Sequence, residues 1–339
     1  MRKYSVQHVF LWLFTVSLCT VIACNKPGDD DDSDLVGNWI RSSDFDGNAR
    51  SEAVLFTIND KVYLTTGTTD RERFKDLWEY DVDRKFWTQK VDFEGGARSS
   101  AVAFALQGKG YVATGYDGTR RLKDLWMYDP VANDWFPRAA FGGTARQEAL
   151  AFSIGDRGYI ASGFDGNYLK DLWEYNPATD EWKQKASMGG SKRSSAQSFV
   201  VGGKAYVCSG TNNGTILHDL WMYDPSTDTW TEKNKIYNAT DESFDDKYNI
   251  GRSNAVAFVL GNLAYVTGGE NGSLNNETWE YNPQDDRWTR KTNFEGAGRI
   301  GATAFAAKSR GFVLTGRNGS LSFDNMYELK PADEYNKND

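Results

Sequence analysis

Apolar residues in this chain come in short runs broken by polar turns, and the same order of runs returns at nearly constant intervals. The segment Asp76-Leu77-Trp78-Glu79-Tyr80 recurs at Asp124-Leu125-Trp126-Met127-Tyr128, at Asp171-Leu172-Trp173-Glu174-Tyr175 and at Asp219-Leu220-Trp221-Met222-Tyr223. Looser copies are Glu277-Thr278-Trp279-Glu280-Tyr281 and Asp324-Asn325-Met326-Tyr327. The steps between the Trp positions are 48, 47, 48 and 58 residues, and 48 more lead to Tyr327. Each copy predicts four short strands. An inner run such as Ala101-Val102-Ala103-Phe104 is followed by a second, Tyr111-Val112-Ala113-Thr114, that ends at Gly115. The Asp-Leu-Trp-x-Tyr segment is the third strand. The fourth carries Trp87, Trp135, Trp182, Trp230 or Trp288, nine residues behind the third-strand Trp. One repeat cannot bury its own apolar faces, so such units must stack.

Four strands per repeat of nearly fifty residues resemble the Kelch unit of β-propellers. The likeness covers residues 37–330 and rests on the Gly after strand two (Gly67, Gly115, Gly163, Gly210, Gly269, Gly316), the Tyr of strand three and the Trp of strand four. It implies an all-β fold. The family usually has a Gly pair after strand two, which only Gly268-Gly269 keeps; the other copies put Thr or Ser first. A turn with a single backbone-permissive residue tolerates that change. The blade number follows from spacing. The strand-four Trp precedes a repeating Arg by 11 residues, from Trp87 to Arg98 and onwards, and Trp39 precedes Arg50 by the same 11. Trp39 is thus a fourth strand without a first three, while the last repeat stops after its third. The expected fold is a six-bladed Kelch β-propeller whose last blade is closed by an N-terminal strand, leaving no long open edge.

The ends read differently. Arg2 and Lys3 precede an apolar run from Val9 to Ala23, which ends in Val21-Ile22-Ala23-Cys24 and resembles a bacterial lipobox. The resemblance implies a signal peptide over residues 1–23 and lipidation of Cys24, so that the membrane is reached through acyl chains alone. Residues 24–36, with Asp29 to Asp32, are expected to form an acidic, self-repelling tether. An acidic stretch at this place resembles the surface-export signal of some outer-membrane lipoproteins, which implies a cell-surface or otherwise a periplasmic location. Residues 331–339 read as a polar C-terminal tail.

The net charge of −8, without a basic block, argues against nucleic acid. Only His8 and His218 are present, and Cys208 is the one cysteine left beyond the signal and Cys24. A copper site like that of galactose oxidase, a Kelch enzyme, cannot be assembled from one remaining His, and zinc sites and a Ser-His-Asp set fail likewise. No catalytic residue, metal or cofactor is assigned. Eleven of the 12 Trp fall on repeat positions, so sugar stacking would have to come from loop residues such as Tyr116, Phe164, Tyr168 or Tyr248.

The candidate binding face is the one carrying Arg50, Arg98, Arg146, Arg193, Arg252 and Arg299, each just ahead of an inner strand. A charge in every repeat is usually architectural, and pairing with Asp76, Asp124, Asp171, Asp219, Glu277 and Asp324, or with loop carbonyls, is the structural expectation. A paired Arg can still keep donors for an anionic ligand. Variable loops on the same face add Tyr116, Phe164, Glu270 and Arg317. An insert over Tyr237 to Tyr248 does not match a calcium-loop pattern. These features point to a monomeric binding or scaffold module for a protein or a glycan. The alternatives are a sugar-acting enzyme such as a sialic-acid mutarotase, a bacterial family of which has six Kelch blades, and a lyase or hydrolase using carboxylates in the channel mouth.

Overall fold

The computed structural model describes residues 35–237 and 249–336, with Met1 and Asn338. Cys24, the rest of the leader and tether up to Asp34, and the insert residues 238–248 lie outside the described residues. The chain divides into two units, Met1–Asp31 and Asp32–Asp339. The second is a six-bladed, all-β propeller with four antiparallel strands in every blade. Blade one consists of Ser51–Ile58, Lys61–Thr68, Leu77–Asp81 and Phe86–Lys90, paired in that order from the channel outwards. Blade six consists of Thr303–Ala307, Arg310–Leu314, Met326–Glu334 and, as its outermost strand, Val36–Arg41. There Trp39 lies opposite Leu329 and Ile40 opposite Glu328. The last strand runs to Glu334, so residues 331–334 are part of the sheet and not of a tail. Val36 pairs with Glu334 and gives this stretch a partner the sequence did not advertise.

Neighbouring blades are joined by one backbone hydrogen bond that repeats all the way round. The N–H of each strand-two Gly donates to the carbonyl of the next blade's Arg: Gly67 to Arg98 at 2.8 Å, Gly115 to Arg146 at 2.8 Å, and finally Gly316 to Arg50 at 2.8 Å, which shuts the ring. Close packing on the inner strand of the same blade, together with the left-handed backbone, explains the Gly. At Gly115 (φ +96°) a Cβ would stand 2.8 Å from the Ser99 carbonyl oxygen and 3.0 Å from Ala101. The residue before it is left-handed as well: Thr66, Thr114, Ser162, Ser209 and Thr315 have φ between 58° and 63°. The turn therefore needs two permissive positions, not one, and the Thr and Ser copies hold strained backbone at a cost of order 1–3 kcal/mol each. A donor from the repeat Arg catches the strained residue's carbonyl, as Arg98 Nη1 does with Thr114 at 2.9 Å.

Between blades the core is aromatic. Inner-strand Phe104 stacks on Tyr111 at 5.1 Å, and both meet Tyr175 of the following blade. Cys208 is fully buried and its thiol is pushed up to about 12 by that burial, which suits a small apolar filler rather than a nucleophile.

The mouth of the central channel

The six repeat Arg side chains are no more than 1% exposed. Five form bidentate or single pairs with the acid that opens strand three. Arg193 donates to both carboxylate oxygens of Asp219 at 2.8 and 2.7 Å, and Arg50 does the same to Asp76 at 2.5 and 2.7 Å. Arg98 pairs with Asp124, Arg146 with Asp171, and Arg252 with Glu277. The same acid accepts the indole N–H of the Trp two residues on, as in Trp78 to Asp76 at 2.7 Å and Trp221 to Asp219 at 2.8 Å. That explains the Asp-x-Trp spacing, since residues i and i+2 lie on one side of a strand. Burial would raise the Asp76 carboxyl, but the Arg50 guanidinium and the Trp78 N–H outweigh it and hold it below the usual carboxylate range. Each of these five Arg thus pins the inner strand to the third strand from inside the blade.

Arg299 is the exception, and its expected partner Asp324 is corrected by the register. Met326 lies opposite Leu314 just as Leu125 lies opposite Ala113, so the residue in the acid's place is Asn325. Asp324 is exposed. Arg299 donates to the carbonyls of Ala297 and Thr315 and packs on Phe294 and Phe323 at 4.9 and 4.5 Å. Its Nη2 and the Oδ1 of Asn325 are both buried without a partner. Burial, with no carboxylate beside it, pushes the Arg299 guanidinium down to about 10.

The surface that faces the channel is made by the residues two places after each Arg: Glu52, Ser100, Glu148, Ser195, Asn254 and Gly301. All have φ between 52° and 60°. This conformation turns their N–H groups around the rim, where Ser100 donates to Glu52 at 3.0 Å, Glu148 to Ser100 at 3.1 Å, Ser195 to Glu148 at 3.2 Å, and Glu52 to Gly301 at 2.7 Å. Below them the channel is lined by one alanine from each blade, Ala53, Ala101, Ala149, Ala196, Ala255 and Ala302. Above them the strand-two loops enclose a cavity of about 400 Å³. Each loop is fixed by a bridge to the residue after its own Arg, for example Ser253 to Glu270 and Ile300 to Arg317.

Of the loop residues singled out from the sequence, Tyr168, Glu270 and Arg317 line this cavity, and Tyr248 lies outside the described residues. Tyr116 and Phe164 instead carry the guanidinium of the preceding blade's loop: Arg73 lies over Tyr116 at 5.0 Å and Arg121 over Phe164 at 4.7 Å. The cavity also holds Glu52 and Glu148, which sequence reasoning passed over. Glu148 accepts from the hydroxyls of Ser194 and Ser195, each at 2.9 Å, and Glu52 from Ser100 at 2.7 Å. Glu270 accepts from Asn254 at 3.3 Å, and Arg317 stands 3.9 Å from Glu52. A signal for these residues did exist: the position two after the Arg reads Glu, Ser, Glu, Ser, Asn and Gly, a variable slot in an otherwise strict repeat. With three carboxylates against one guanidinium, the mouth is acidic overall. His218 lies away from the cavity, against Tyr237 at 5.0 Å, with burial holding its imidazole below the ordinary value.

Comparison with known proteins agrees with this architecture. The family model described as the KLHDC2/KLHL20/DRC7 Kelch-repeats domain matches residues 40–210, and the Kelch motif model matches residues 192–235 and 251–295. Among solved structures, that titled "Structure of YjhT" superposes with a TM-score of 0.70 at 15% identity, covering 84% of this chain and 96% of that one. No curated protein matches.

Proposed function

The chain belongs to the Kelch-repeat family, and we propose that it is a membrane-anchored binding module that takes an uncharged or amino-bearing glycan at the mouth of its central channel, on the cell surface or in the periplasm. The observation that carries this reading is the composition of the cavity. Hydroxyls of Ser100, Ser194 and Ser195, the amide of Asn254 and the carboxylates of Glu52, Glu148 and Glu270 converge there on a rim held by backbone hydrogen bonds. Polyols need many acceptors and donors at fixed positions, and ionised acceptors make the stronger bonds. An acidic sugar would meet the three carboxylates with Arg317 alone to offset them, so sialic acid is the weaker candidate here. The described chain enters the propeller as the outermost strand of blade six.

A panel of immobilised neutral, amino and acidic saccharides tests the ligand. Neutral or amino sugars should be retained by the purified chain, and Glu148→Ala should weaken retention at least tenfold, since a hydrogen bond to a charged group contributes about 1.5–3 kcal/mol. Binding confined to acidic sugars, or indifferent to Glu148, would overturn the assignment. The carboxylates would also serve to take the proton of an anomeric hydroxyl and give one to the ring oxygen; acceleration of sialic-acid mutarotation in an NMR exchange assay would replace this reading with the enzymatic one. For the anchor, Cys24→Ser should move the protein from the membrane to the soluble fraction. Retention of that variant on membranes after a high-salt wash would remove the lipid.

A further inference from the structure

The strand-two loops do not meet in the same way around the mouth, and the junction between blades three and four is open. In blades one and two, the residue three places before the strand-three acid is Arg73 or Arg121. Each reaches across to the next blade's loop and covers its aromatic residue, Tyr116 or Phe164. In blade three that place is taken by Tyr168, which is bridged to Phe164 of its own loop and packs on it at 5.1 Å. The blade-four loop opposite is a short hairpin, Thr211–Asn212 paired with Thr215–Ile216. Between the two loops lies a groove of about 480 Å³. Its walls include Phe164, Asn167, Tyr168, Lys192, Asn212 and Asn213, and Tyr168 also lines the channel mouth, so the two cavities share a wall.

We infer that this groove is a second subsite, so that the ligand at the mouth is a linear neutral oligosaccharide whose next unit lies across Tyr168, rather than a single sugar. The inference rests on the glycan reading above. Its own support is the chemistry of the groove. An aromatic ring offers a flat apolar face to the C–H side of a sugar ring. The amide side chains of Asn167, Asn212 and Asn213 supply both donors and acceptors to hydroxyls or acetamido groups. The wall is also preorganised. Phe164 is held between Arg121 and Tyr168, and Arg121 donates to the Asp165 carbonyl at 3.4 Å. Thr144 donates to the Asp165 carboxylate at 2.8 Å, which ties the blade-three loop down from below. A wall that does not have to be ordered on binding adds affinity by avoiding that entropic cost.

The test is a chain-length series of mono-, di- and trisaccharides of each neutral sugar that the panel above retains, titrated into the purified chain. Wild type should bind the di- or trisaccharide at least tenfold more tightly than the monosaccharide. The double variant Asn167→Ala/Asn212→Ala, which alters the groove and leaves the mouth intact, should lose that gain and keep its monosaccharide affinity. Tyr168→Arg, which restores the residue type of blades one and two, should also lose the gain by refilling the junction. Affinity independent of chain length, or a gain that survives in both variants, overturns the second subsite while leaving the mouth as a sugar site. Absence of binding to every saccharide overturns the mouth reading and the groove with it.

Discussion

Trp39→Ala should unfold the whole propeller at lower denaturant concentration, by about 3–5 kcal/mol, although Trp39 stands near the start of the chain. Its side chain is fully buried, meets Phe294 edge-on at 5.0 Å and Phe258 at 6.4 Å, and donates its indole N–H to Thr278 at 3.2 Å. These partners belong to blade five and its connection to blade six, while the strand that carries Trp39 pairs with Met326–Glu334 of blade six. One residue thus joins the last two blades, and the strand around it is what closes the circle. Removing residues 35–45 should do more damage, because it bares the edge of Met326–Glu334 and invites pairing with other chains. Urea titration followed by tryptophan fluorescence compares the three proteins. Coincident transitions for wild type, Trp39→Ala and the deletion would show that the N-terminal strand contributes nothing to closure.

The second large effect separates the paired Arg residues from the unpaired one. Arg193→Met should cost about 3 kcal/mol, the low end for breaking a buried pair, because Asp219 keeps 19% of its side chain in water. Arg299→Met should cost less than about 1 kcal/mol, since it removes a buried guanidinium with no carboxylate partner among the described residues and puts an apolar chain against Phe294 and Phe323. Asn325→Asp should stabilise by about 1–3 kcal/mol, because it sets a carboxylate where the other five blades have one. Equal losses for the two Met variants, or a destabilising Asn325→Asp, would refute the view that blade six lacks only the acid. The same set of variants bears on the candidate site: all three should leave glycan retention unchanged, since the Arg side chains lie inside the blades and do not line the cavity.

The fold was legible in the sequence because a propeller is a one-dimensional repeat. Spacing alone located the strands, the blade number and the closing role of Trp39, since each depends on what recurs at a fixed interval. The Phe five residues ahead of the Arg, at Phe45, Phe93, Phe141 and Phe294, recurs just as plainly and packs under the guanidinium at 4.8 to 5.1 Å. The sequence also determined which residues are shared by all blades, and these are the ones that hold the blades together. What faces the channel mouth was decided by tertiary structure, for a physical reason. A repeating Arg looks like a binding ring along the chain, but whether its guanidinium points into the channel or back into its own blade depends on an acid some 25 residues away and on two left-handed residues in the strand-two turn. A further left-handed residue, the one two places after each Arg, puts Glu52, Glu148 and their counterparts at the mouth, which no spacing rule conveys. The 48-residue step from Glu277 falls on Asn325 and not on Asp324, and the strand register agrees, so the acidic residue one place earlier is turned away, because a shift of one residue along a strand moves a side chain to its other face. The groove beside Tyr168 lies where Tyr168 packs back on Phe164 of its own loop, whereas Arg73 and Arg121 at the same place in blades one and two reach across to the next loop, a relation among loops that meet in space and are separated in sequence.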